Sequence, residues 1–402
     1  MDLFNRKADC CGCGACRVAC PVGAISMEMD AGGSLYPVID QERCIECGRC
    51  RKVCAFAKPR KESQFEQKAY AAVAREQAVV ERSSSGGAFA TLAQAWIAND
   101  GVVYGCAMTS GDDGLYPRHI RVDTQDGLRA LQGSKYVQSD TGETYADVKT
   151  DLKQGKSVLY SGTPCQIAGL YGFLGGEHEN LVTIDLICHG VPGQGFFRSY
   201  IAALERKVHG KVNGFLFREK KNGWGLNGRI DYLDAKGKAC SMPVYNKTSS
   251  YYNLFLEAQV YRESCYRCPY ACLSRVADLT LGDYWGIEKE HPEYLSDHGG
   301  TLRKASGISC VLVNTAIGEA MLSRFGDGLE LLPSEPERVA RQNSQLRQPS
   351  AEGKNREEVL RIYRQEGYDG IEKWFRKWLG PKRYVFNLWY KLPKGLRKLI
   401  RK

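Results

Sequence analysis

Four cysteines, Cys10, Cys13, Cys16 and Cys20, recur as Cys44, Cys47, Cys50 and Cys54, each displaced by 34 positions. Both runs read Cys-x2-Cys-x2-Cys-x3-Cys, and Pro21 follows the first. No other feature constrains the chain as strongly. In this spacing three close thiolates wrap three irons of one 4Fe–4S cubane, while the fourth reaches across to the other cubane. One cluster is therefore expected on Cys10, Cys13, Cys16 and Cys54, and another on Cys44, Cys47, Cys50 and Cys20. Cysteine pairs two residues apart also suit zinc, but eight cysteines in duplicated runs favour iron. Ala55 stands where a second proline is usual, and Cys11 is an extra thiol inside the first run. Neither removes a ligand.

Residues 24–27 and 36–39 read as short strands around Ala31-Gly32-Gly33, so residues 1–60 are expected to form a small α+β domain of bacterial ferredoxin type. The chain has 402 residues, enough for two or three domains. With 25% charged and 43% hydrophobic residues, disordered and fibrous classes are excluded. No apolar run approaches the length of a membrane-spanning helix, and MDLFNRKADC has no apolar segment behind its basic residues. A cytoplasmic protein is expected. Disulfides are disfavoured there, so most of the seventeen cysteines should bind metal or do redox chemistry.

Residues 58–68 (KPRKESQFEQK) are polar and mixed in charge, a plausible domain junction. The pattern then becomes α/β: a strand over 69–74 and a helix carrying Phe89, Leu92, Ala93, Trp96 and Ile97 on one face. After Asn99-Asp100-Gly101 comes a strand over 102–108. Ser83-Ser84-Ser85-Gly86-Gly87 precedes that helix. Such a start leaves backbone N–H groups free for an anion, and a flavin or nucleotide diphosphate fits there. Spacing alone favours the alternative, an ordinary serine cap with closely packed glycines. The dinucleotide-binding G-x-G-x-x-G run and the Walker A loop are absent.

Residues 157–160 and 181–187 read as buried strands, joined by a helix over 167–174 that stops at Gly175-Gly176. Two parallel strands so connected place Cys165 and Cys188 side by side at the carboxyl edge of the sheet, where ligand sites in open α/β folds lie. Cys265-x2-Cys268 would complete a third four-thiolate site, with Cys272 as a competing ligand. The alternative is that Cys165 and Cys188 are small buried apolar residues. Cys106, Cys240 and Cys310 are expected in the core.

These residues carry a resemblance. Ser85-Gly86-Gly87, Gly133-Ser134-Lys135-Tyr136-Val137-Gln138-Ser139, Gly162-Thr163-Pro164-Cys165-Gln166 and Cys188-His189-Gly190 occur in that order. Phe217-Arg218, Gly223-Trp224, Cys265-x2-Cys268, the run Asp278-Leu279-Thr280-Leu281-Gly282-Asp283-Tyr284-Trp285-Gly286 and Ser306-Gly307-Ile308-Ser309 follow. The set, from Ala69 to Thr315, resembles the coenzyme F-420 hydrogenase/dehydrogenase beta-subunit family, to which a ferredoxin module is often fused. The resemblance implies a mixed α/β flavoprotein body that holds FAD beside a third 4Fe–4S cluster. It makes Ser85, Gly86, Gly87, Lys135, Tyr136, Gln138 and Thr163 flavin-contact candidates, and Cys165, Cys188, Cys265 and Cys268 the third cluster's ligands. Lys135 and His189 are the candidate catalytic residues. Cys272 occupies a position where the family pattern requires no cysteine.

Clusters move single electrons and flavins convert these to pairs. The expected function is thus an anaerobic oxidoreductase that passes electrons from reduced ferredoxin, or a similar donor, through clusters and FAD to a two-electron acceptor. A deazaflavin, a tetrapyrrole, or a polysaccharide- or lipid-linked substrate are the acceptor classes the resemblance leaves open. The competing readings are a non-catalytic electron-transfer subunit and a structural or regulatory iron–sulfur protein without flavin.

The charge is uneven. Residues 371–402 hold eleven Lys and Arg against one acid, Glu372, and so carry the whole formal excess of +10. A general nucleic-acid-binding surface is not indicated. Trp374, Phe375 and Trp378 share a helical face, Pro381 interrupts it, and Val385, Leu388, Trp389 and Leu392 resume it before Pro393. Tryptophan beside basic residues suits the headgroup layer of an anionic membrane, here the inner face. Packing on the protein's own body, or on RNA, is the alternative. The organisation expected is 1–60, 69–155, 156–345 and a basic helical tail over 346–402.

Overall fold

The computed structural model describes residues 3–57, 64–111, 114–222 and 224–392. Most of the charged junction (residues 58–63), Gly223, and residues 393–402 with Pro393 lie outside the described residues.

The N-terminal module pairs β1 (Ile25–Met29) with β2 (Leu35–Ile39) as an antiparallel hairpin, and each cysteine run enters a single helical turn, α1 (Ala15–Val18) and α2 (Arg49–Lys52). The body begins with β3 (Lys68–Ala74), β4 (Val102–Gly111), β5 (Gly114–Val122), β6 (Val158–Gly162) and β7 (Leu181–Leu186). It continues through β8 (Gly210–Leu216), β9 (Gly228–Asp234) and β10 (Ala239–Val244), then β11 (Leu279–Asp283), β12 (Ser309–Val313) and β13 (Leu329–Ser334). Among the described residues, eight of these strands form one mixed sheet in the order β13-β3-β12-β11-β7-β6-β4-β5. Its centre, β4-β6-β7-β11, is parallel, and its flanks are antiparallel. A separate antiparallel sheet has the order β10-β9-β8.

Strand alternation divides the buried side chains between two layers. Leu159 of β6 joins the core packed by α3 (Gln77–Arg82), α4 (Ala88–Ala98), α5 (Gln125–Leu131) and, further along, α11 (Ala316–Phe325). Its neighbours Val158 and Tyr160 face the opposite core, under α6 (Thr144–Lys153) and α7 (Pro164–Leu174). Ala15 of α1 is buried in that same core, so the N-terminal module shares apolar packing with the body.

The small sheet covers an aromatic core built from Phe196, Phe197 and Tyr200 of α8 (Gln194–Val208), Phe215, Phe217, and Tyr251 and Tyr252 of α9 (Ser250–Leu256). The short helices α10 (Ile287–Glu290) and α12 (Pro336–Gln342) contribute Ile287, Val339 and Ala340 to a core shared with Ala69, Ala71, Cys310 and Leu312. The last described helices are α13 (Arg356–Leu379), broken at Gly367 where φ is +64°, and α14 (Lys382–Lys391). Val359, Ile362, Tyr368 and Ile371 of α13 belong to the aromatic core. The helical tail is therefore continuous with the body through α13, and α14 touches the body through Phe386 and Tyr390. No described helix is long and apolar enough to cross a membrane.

Candidate functional site

The eight N-terminal cysteines fall into two groups, crossed as the duplicated spacing requires. Cys16 sits among Cys10, Cys13 and Cys54, and desolvation, reinforced by their proximity, pushes its thiol far above the ordinary value. Cys20, Cys44, Cys47 and Cys50 line a separate cavity of about 20 Å³. Cys47 is exposed and Ile45 beside it is 61% exposed, so this second group faces solvent. The first group faces the body.

Contact with the body is made at α7. A Cβ on Gly169 would lie 2.8 Å from Cys13 Sγ, and one on Gly172 would lie 2.2 Å from the Val53 carbonyl oxygen. Only a helix without side chains at these positions lets both cysteine runs approach so closely. Cys165 lies one turn before Gly169 and therefore on the same helical face. Cys11 fills the space between: its thiol hydrogen-bonds to both Cys13 and Cys165, which holds its own proton firmly and draws Cys165 below the ordinary thiol value. Gly169→Leu should force the N-terminal module off α7, lowering stability by about 1–3 kcal/mol by overpacking. Calorimetry of the variant checks this, and an unchanged melting transition would contradict the seam.

Arg262 completes the clamp. Its side chain is wholly buried, donates to the Cys10 carbonyl at 2.8 Å, the Leu35 carbonyl at 2.6 Å and Gln138 Oε1 at 3.2 Å, and approaches Cys10 Sγ at 3.6 Å. The Tyr36 ring lies 3.9 Å beneath its guanidinium. Its charge is answered by thiols, carbonyls and an aromatic face, and proximity to Cys10 leads the influences that oppose burial and keep it protonated.

The body cysteines converge as well. β6 and β7 are parallel neighbours, so Cys165 at the start of α7 and Cys188 after β7 emerge at the same edge. Cys265 and Cys268 lie within electrostatic reach of both, and burial pushes Cys188, Cys265 and Cys268 up to about 12. Such thiols stay protonated until a cation replaces the proton. Arg275 fastens the Cys265–Cys268 loop to β7: it donates to the Tyr270 carbonyl at 2.6 Å and pairs with buried Asp185 at 2.9 Å. Cys272 turns its Sγ toward the Ser274 carbonyl at 3.1 Å. Among the described residues, no group of three or more His, Cys, Asp or Glu side chains closes around a single-ion centre. The convergence of Cys165, Cys188, Cys265 and Cys268 makes this four-thiol group a candidate cluster site.

Against this group lies a cavity of about 430 Å³, within the range of cofactor pockets. Ser85, Gly87, Lys135, Tyr136, Gln138, Thr163, Cys165, Cys188 and His189 line it, together with Cys11 and Cys106. Gly86 lies behind the wall, where a Cβ would meet the Ala72 carbonyl oxygen at 2.2 Å. Ser83 Oγ, Ser85 Oγ and Asp283 Oδ1 are buried there without a hydrogen-bond partner among the described residues. Buried polar atoms left so are costly, and they fit a polar cofactor. Trp285 lines the same end, stacked on Trp224 at 4.5 Å, with the Arg218–Asp283 ion pair beside it.

Several expected contacts have further duties. The Lys135 ammonium donates to the carbonyls of Ala130, Leu131 and Gln132 at 2.9–3.2 Å, closing α5, and burial pushes it down to about 8. The Gln138 amide donates to Cys11 and Gly12 carbonyls. Thr163 caps α7 through Gln166 and sits 3.2 Å from Cys165 Sγ. His189 is exposed at the rim. His119, unmarked by any motif, is buried in the wall between Ser139 Oγ and the Ser161 carbonyl, and burial lowers it to about 4. It is neutral at ordinary pH.

Residues 155–337 match the family described as the C terminus of the coenzyme F420 hydrogenase/dehydrogenase beta subunit, and residues 9–58 match the 4Fe-4S dicluster domain. The dicluster domain and the beta-subunit region together contain all twelve candidate cluster cysteines. No curated protein sequence matches the chain. Among solved structures, a chain of the F420-reducing [NiFe] hydrogenase complex from Methanosarcina barkeri is similar at 14% identity. The match covers 75% of this chain and 95% of that one, with a TM-score of 0.41. The beta-subunit region carries α7, Cys165, Cys188, Cys265 and Cys268; the serine-glycine turn and Lys135–Gln138 precede it in sequence.

Proposed function

We propose that the chain is an iron–sulfur flavoprotein oxidoreductase that takes electrons from reduced ferredoxin, or a similar low-potential donor, and gives them to a two-electron acceptor. That acceptor is a deazaflavin or a polysaccharide- or lipid-linked compound. One observation carries the reading: the cavity lined by the flavin-contact candidates abuts the body's four-thiol group, which Cys11 joins to the dicluster domain. In this reading Cys10, Cys13, Cys16 and Cys54 hold the inner cluster, Cys20, Cys44, Cys47 and Cys50 the outer one, and Cys165, Cys188, Cys265 and Cys268 a third, with FAD in the cavity. When bound, clusters supply one-electron transfer and the flavin couples it to two-electron chemistry.

The chain's own residues supply position and electrostatics. Arg262 places a buried positive charge against the inner thiols, which favours the more negative charge state of whatever they hold. Lys135, held by three carbonyls, places its ammonium at the cavity wall. Ser83, Ser85 and Asp283 offer hydrogen-bonding atoms to a polar cofactor. Leu131, Val137 and Leu281 supply apolar wall.

Protein purified without air should carry about twelve irons and release FAD on denaturation, and the bound flavin should bleach with dithionite-reduced ferredoxin. About eight irons without flavin would overturn the reading in favour of a structural iron–sulfur protein. The beta-subunit family description favours one further reading, an electron-transfer subunit feeding a partner enzyme. Turnover by the isolated chain with an artificial donor separates the two.

A further inference from the structure

We infer that α14, with the last turn of α13, is an interfacial anchor that seats on an anionic lipid surface. The helix has two opposite faces. Phe386 and Tyr390, one turn apart, face the body: the Tyr390 ring stacks on Tyr245 at 3.8 Å, its hydroxyl donates to Asn246 Oδ1 at 2.9 Å, and Lys247 lies over Phe386. By helical periodicity Tyr384, Val385 and Leu388 project the other way. They are 66%, 64% and 64% exposed. Trp378, at the end of α13, is 48% exposed, while Phe375 just before it is buried in the body. The body thus fixes the helix by one side and leaves an apolar and aromatic ridge outward.

The charge around that ridge selects the occupant. From Lys373 to Leu392 the described residues hold six Lys and Arg and no acid. Lys382 and Arg383 lie on α14 itself, where Arg383 donates to the Tyr384 hydroxyl at 2.7 Å. Four outward side chains are too few for a protein interface, which takes about 800 Å² a side. They suffice for shallow insertion between headgroups, with tyrosine and tryptophan at the polar boundary and cations on phosphate. The ridge therefore fits a bilayer better than a second copy or another protein.

Flotation of the full chain with vesicles tests this, comparing phosphatidylcholine alone with phosphatidylcholine containing phosphatidylglycerol. Binding should require the anionic lipid and weaken with salt. Lys382→Glu and Arg383→Glu should each weaken it roughly fivefold or more, since each basic group near such a surface contributes about that factor. Val385→Glu and Leu388→Glu, at exposed positions, should abolish it while iron content and melting stay unchanged. Equal binding of these variants, or none by the parent chain, overturns the proposal. So does concentration-dependent dimerisation that the same variants remove, which would assign the ridge to a second copy.

Discussion

Cys188→Ala is expected to cost the protein one cluster, with iron falling from about twelve to about eight atoms per chain. Cys188 leaves β7 at the edge where Cys165 leaves β6, and Cys265 and Cys268 close the group from a loop that Arg275 ties to β7. Removing one of four thiols leaves a site unable to retain a cubane, whereas the dicluster domain, with its own eight cysteines, keeps both of its clusters. Flavin reduction by reduced ferredoxin should slow by about a hundredfold or more, the scale on which even outer-shell changes act. Cys272→Ala is the control, because its Sγ is turned to the Ser274 carbonyl, and it should leave iron content unchanged. Iron assay with electron paramagnetic resonance of the reduced protein decides. Full iron in Cys188→Ala would sink the ligand assignment.

Arg262→Met should have the second large effect. The substitution keeps most of the volume but leaves the Cys10 and Leu35 carbonyls without donors inside the protein. Each orphaned buried acceptor costs about 1–3 kcal/mol, so a loss of roughly 3–5 kcal/mol is expected by chemical denaturation. The potential of the inner cluster should fall at the same time, because a positive charge and a hydrogen bond to Cys10 Sγ are lost. Arg262→Lys separates the two effects: it restores charge without the fork, so the potential should recover more than the stability. A potential unmoved by either variant would reduce Arg262 to a structural clamp.

Much of this arrangement is legible in the amino-acid order, and the reason is local. The repeated cysteine spacing is set by one short loop and one helical turn, and the structure groups the eight thiols in the crossed pattern it implies. The run from Val158 through Gly162, then Pro164 to Leu174, then Leu181 to Leu186 is a strand–helix–strand unit with clear turn signals, so the side-by-side placement of Cys165 and Cys188 follows from right-handed crossover geometry. What stays hidden is contact between distant segments. Nothing near Arg262 marks it as the partner of Cys10, which lies 252 positions away. Cys11 reads as a surplus thiol until α7 is placed beside it. Gln138 reads as a flavin contact, yet its amide is also spent on the first cysteine run. In the tail, periodicity puts Trp374, Phe375 and Trp378 on one face, but packing turns Phe375 inward, lays Trp374 against the aromatic core and leaves Trp378, Val385 and Leu388 exposed.

The bare glycine face of α7 has a mechanical consequence. Some redox proteins ferry charge on a head that swings between donor and acceptor, and the swing then limits the rate. Here Gly169 and Gly172 let the small domain sink into the helix until backbone and sulfur touch, and Arg262 bolts it from the other side. On the proposed electron path the approach of Cys13 to α7 is set at folding, so turnover should respond to driving force and show little sensitivity to solvent viscosity.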